Sequence, residues 1–112
     1  MGAAHVNSGT ITVTGGDLAL TLSGAGGSFT NTGTITLSAG RTLSAGAGVF
    51  SHDAGSLGPV GTLSFANACT ANLVAPFSAT VLNATSSTVN LTGDLSTSGT
   101  TLSATGSTFN GP

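Results

Sequence analysis

Polar and apolar residues alternate with period two along much of the chain. Thr10-Ile11-Thr12-Val13-Thr14 is the clearest run, and Leu18-Ala19-Leu20-Thr21-Leu22 follows it in part. Gly33-Thr34-Ile35-Thr36-Leu37, Gly61-Thr62-Leu63-Ser64-Phe65 and Ser87-Thr88-Val89-Asn90-Leu91 repeat the pattern. Alternation with β-branched residues predicts half-buried strands. Gly15-Gly16, Gly24-Ala25-Gly26-Gly27, Ala39-Gly40, Gly46-Ala47-Gly48 and Gly58-Pro59 punctuate these runs and predict turns. No apolar stripe at i, i+3, i+4, i+7 persists for three turns, so no helix is predicted.

The runs are also copies of one another. Asn7-Ser8-Gly9-Thr10-Ile11-Thr12-Val13 matches Asn31-Thr32-Gly33-Thr34-Ile35-Thr36-Leu37 at an offset of 24, and Asp53-Ala54-Gly55-Ser56-Leu57 is a looser third copy at 22. Phe29 and Phe50 recur 21 apart in similar approaches to these phrases, and Phe109-Asn110-Gly111 restarts the phrase near the end. A period of 20 to 24 residues is that of stacked single-coil repeats.

One such unit holds too few inward apolar residues to offset its chain entropy. Units stacked ~4.8 Å apart hydrogen-bond to one another and fuse their apolar positions into a narrow core. The fold expected is therefore all-β: a single-stranded parallel β-solenoid of about five coils, one domain over 1–112 without an internal linker. Ile11, Val13, Phe29, Ile35, Leu37, Phe50, Leu63 and Phe65 are its expected core. Asn7, Asn31 and Asp53 are expected to stack at one turn position, with Gly9, Gly33 and Gly55 as the accompanying turn glycines.

Composition narrows the role. Gly, Ser, Thr and Ala account for 68 of 112 residues, Lys, Trp and Tyr are absent, and Arg41 is the one Lys/Arg side chain. One arginine cannot neutralise a phosphate backbone, so no nucleic-acid partner is expected. Mean hydropathy is +0.41 and formal charge −2, unlike a disordered chain. No apolar run reaches the ~20 residues of a membrane helix, and five phenylalanines cannot form the aromatic girdles of a membrane barrel. No membrane insertion is expected. Met1-Gly2-Ala3-Ala4-His5 lacks the basic and apolar regions of a signal peptide, which suggests a mature fragment or a segment of a longer rod.

The phrase Phe29-Thr30-Asn31-Thr32-Gly33-Thr34-Ile35-Thr36-Leu37, with a Gly-containing turn and Thr42-Leu43 after it, resembles the degenerate repeats of bacterial surface proteins. These are the filamentous-haemagglutinin-like adhesins and autotransporter passengers. The resemblance implies a right-handed β-helix, a place outside the cell or on its surface, and a part in adhesion or biofilm scaffolding, with surface glycans or other cells as partners.

Candidate chemistry is sparse. His52-Asp53 is the one adjacent base–acid pair, but Ser51 and Ser56 beside it carry little weight in a serine-rich chain without a Gly-x-Ser-x-Gly elbow. Asp17, Asp53 and Asp94 are too scattered for a paired-carboxylate site or a calcium cage. No catalytic residue, cofactor or metal is expected. Cys69 reads as a small buried hydrophobe, with an intermolecular disulfide as the sharper alternative. The sequons at Asn83 and Asn90 arise readily by chance in such a composition. Thr-x-Thr at Thr10–Thr14 and Thr34–Thr36 resembles the hydroxyl arrays of ice-binding solenoids. A polysaccharide-binding or polysaccharide-cleaving β-helix is a lesser alternative.

The function expected is that of an extracellular structural protein, a filament-forming subunit or rod segment. Its partners are copies of itself stacked head to tail, with Thr10, Ile11 and Thr12 at one end and Phe109 and Asn110 at the other.

Overall fold

The computed structural model describes residues 4–22, 27–92 and 101–111. Every regular element among them is a strand: β1 (Ala4–Asn7), β2 (Thr10–Val13), β3 (Leu18–Thr21), β4 (Ser28–Asn31), β5 (Thr34–Leu37), β6 (Thr42–Gly46) and β7 (Val49–His52). Then come β8 (Ser56–Ala66), β9 (Thr70–Leu73), β10 (Phe77–Thr85), β11 (Thr88–Leu91), β12 (Thr101–Thr105) and β13 (Thr108–Asn110). All pairings are parallel, and each joins a strand to its counterpart one coil away. The chain is a β-solenoid of about five turns.

Three faces result. The first is a six-stranded sheet in the order β1-β4-β7-β9-β11-β13. The second stacks β2, β5 and the first residues of β8 and β10; the third stacks β3, β6, the later residues of β8 and β10, and β12. β8 joins them because it runs on through the corner: Ser56 and Leu57 pair with β5, Thr62 to Ala66 with β6. Gly58-Pro59, expected as a turn, lies inside this strand with a cis peptide bond.

Coil length is less uniform than the repeats suggest. Equivalent residues on the first face are 24, 21, 21, 18 and 20 apart. The corners absorb the variation, while the strands keep inside and outside in phase. Stacked residues then share an environment, as required by a period of two.

The core is a set of such columns. Leu18, Leu43, Leu63, Leu82 and Leu102 stack on the third face, and Phe29 and Phe50 on the first. The Phe29 and Phe50 rings lie 6.0 Å apart at 4°, and Phe65 meets Phe50 at 5.5 Å and 44°. Phe29, Ile35, Leu37, Phe50, Leu63 and Phe65 are buried. Ile11 and Val13 are only half-buried, because they occupy the first row and have neighbours on one side alone.

Candidate functional site: polar ladders and open edges

A polar column runs inside the first corner. Asn7, Asn31 and His52 are in register. The Asn7 amide donates to Asn31 Oδ1 at 3.0 Å. Asn31 Nδ2 serves the carbonyls of Gly33 and Ser56, each at 3.2 Å, and His52 Nδ1 at 3.1 Å. His52 Nε2 lies 2.9 Å from the Pro76 carbonyl. An amide nitrogen only donates and a carbonyl only accepts, so the ring carries its proton on Nε2. Both Asn31 and His52 are fully buried, and a hydrogen-bond partner for each of their polar atoms is what makes such burial tolerable.

This corrects the expected ladder. The third rung belongs to His52, not Asp53, which is exposed in the turn beyond it. Two residues link β4 to β5 but three link β7 to β8, so alignment on the glycines displaces the strands by one. The glycines do stack. A Cβ on Gly33 would strike the Gly9 carbonyl, and one on Gly55 (φ +78°) the Gly33 carbonyl.

His52 and Asp53 therefore have opposite environments, one enclosed and one in solvent. Ser51 faces outward, where its hydroxyl accepts a 3.4 Å bond from the Asn72 amide. There a second ladder begins. Asn90 donates to Asn72 Oδ1 at 2.9 Å, and Asn110 to Asn90 Oδ1 at 2.8 Å. The signal was available as Thr70-x-Asn72, Thr88-x-Asn90 and Thr108-x-Asn110, but the blurred spacing of the second half hid it.

Other candidates separate. Asp17 accepts the Thr42 backbone N–H at 3.0 Å, a turn role, and Asp94 lies outside the described residues. No group of three or more His, Cys, Asp or Glu that could hold a metal occurs among the described residues. Cys69 is buried and unbridged. Burial pushes its thiol above the ordinary value, against the pull of hydrogen bonds with the backbone of Gly48 and Phe50. A surface depression of about 290 Å³ lies over it, lined by Thr70, Ser86 and Thr88 among others. On the second face Thr10 and Thr12 stack on Thr34 and Thr36, but Ser56 follows Thr34 and the Thr36 hydroxyl meets the Gly58 carbonyl, so the Thr-x-Thr array is two rows deep.

The ends differ in kind from the middle. Among the described residues β1, β2 and β3 each pair with a strand on one side only, as do β12 and β13. Thr10, Ile11 and Thr12 belong to the first row of the second face; Phe109 and Asn110 belong to the last row of the first face. They lie at opposite ends and on different faces, so they do not form one patch. No family model, curated protein or solved structure matches the chain.

Proposed function

We propose that the chain is a structural rod of bacterial surface type, an extracellular filament-forming subunit or rod segment. The observation that carries this reading is that, among the described residues, the first and last rows of the stack pair on one side only. Edge rows present backbone donors and acceptors in the spacing that another parallel coil matches. Exposed Leu102, Val6 and half-buried Phe109 add apolar area there. A formal charge of −2 per copy opposes association weakly and is screened in physiological salt. A heterologous contact of this type does not close, so it produces an open filament. Adhesion or scaffolding, with glycans or other cells as partners, follows from the resemblance of the repeats.

Light scattering with negative-stain microscopy tests it. Thin unbranched filaments should appear above a threshold concentration. A monomer at every concentration removes the filament-forming role.

A further inference from the structure

From the row count, and resting on the end-to-end reading above, we infer that copies join by strand exchange: β13 of one copy takes the place of β1 in the next. Among the described residues the first face has six strands, whereas the third has five: β3, β6, β8, β10 and β12. In the chain β4 follows β3, and β13 follows β12. A second copy that continues the rod with its β3 beside β12 therefore brings its β4 beside β13. That place is already held by its own β1.

The alternative seats the second copy's β1 on β13. β12 and β3 would then lie two rows apart, about 9.6 Å, too far to hydrogen-bond. Either one strand yields or a face is left open.

β1 is the strand to yield. It has four residues and one neighbour, and Ala4, His5 and Val6 are all exposed, Val6 at 67%. β13 is the better occupant of the β4 edge. Where β1 sets His5 beside Phe29, β13 brings Phe109, adding a third ring to the Phe29–Phe50 stack. The register follows: Thr108 meets Ser28, Asn110 meets Thr30, and the Gly111 carbonyl replaces that of Asn7, which accepts the N–H of Thr32 and Gly33. On the third face Leu102, 43% exposed, meets Leu18 and continues a leucine column whose interior members are fully buried. β1 is thus a cap over the growing edge, and its release gates assembly.

Paired cysteines in the full chain test this. Val6 and Thr30 are partners across β1 and β4, at a spacing a disulfide spans. Oxidised Val6→Cys/Thr30→Cys should elongate at least about tenfold more slowly than the same variant when reduced. Ser28 and Thr108 are four rows apart within one copy, about 19 Å, so a disulfide between them must join two copies. Ser28→Cys/Thr108→Cys should yield a ladder of cross-linked species on a non-reducing gel, about tenfold more than Ala4→Cys/Thr108→Cys. A locked variant that grows as fast as its reduced form, or cross-linking that favours position 4, overturns strand exchange and leaves the filament intact. A chain that never assembles overturns both.

Discussion

The amide of Asn31 and the ring of His52 meet at 3.1 Å in the core, with the amide donating to the bare Nδ1. Neither neighbour of the ring can exchange its role. The other nitrogen faces a backbone carbonyl, and the amide nitrogen also serves two carbonyls of the turn. Further along the column the same position holds Leu73 and then Leu91.

His52→Ala should therefore cost about 3 kcal/mol, from the lost volume and the stranded amide and carbonyl. His52→Leu keeps the volume and should cost about half as much. Urea unfolding followed by circular dichroism measures both, and equal losses would show that the filled volume contributes nothing.

Asn31→Asp places a carboxylate against the carbonyls of Gly33 and Ser56. A buried unpaired charge costs several kcal/mol, about 4 or more here at neutral pH. Ile35→Asp, in a fully buried apolar position, should unfold the coil outright. Loss of the strand signal in far-UV circular dichroism is the readout.

Glycine substitutions should divide by position. Gly33→Ala and Gly55→Ala drive a Cβ into the carbonyl of the coil before, and each should cost about 2–4 kcal/mol. Gly16→Ala meets nothing within 4 Å and should change stability by less than about 0.5 kcal/mol. Melting temperatures of the three variants decide it.

Cys69 gives a pH dependence. Its thiol is held above the ordinary 9.0, so the folded state keeps a proton that the unfolded chain releases first. That contribution is complete below pH 9.0 and is lost as pH rises through the folded value. Unfolding midpoints of the unmodified chain should fall above pH 9.0, and those of Cys69→Ala should fall less. Parallel curves would exclude the thiol as the cause.

The carbonyls of Gly9 and Val13 both accept bonds from the next coil, so on β2 the backbone of Thr10 and Thr12 faces the open edge. Thr12→Pro should leave the monomer folded while removing a donor from that edge, and filament growth should stop. Scattering that rises as it does for the unmodified chain would show that this edge takes no part.

Much of this was legible because Thr-Ile-Thr-Val and Thr-Ile-Thr-Leu fix which residues face inward. Ile35, Leu37, Phe50 and Phe65 follow from alternation alone. Leu57, Val60, Leu82 and Ala84 were missed, since β8 and β10 run through corners where glycine, proline and irregular spacing break the period. The His52 rung was missed for a different reason. A turn can gain a residue without disturbing the strands on either side, and an alignment of similar letters cannot see which side of the gain a residue lies on.

Because the strands lie across the rod, their ladder hydrogen bonds run along it. A pull on the two ends would load every row interface in series, and the whole could bear no more than its weakest one. On the first face the shortest pairing is at the last row, where β13 meets β11 through three residues; β1 and β4 meet through four. Under tension the rod should yield at an end, row by row, while its aromatic centre stays shut.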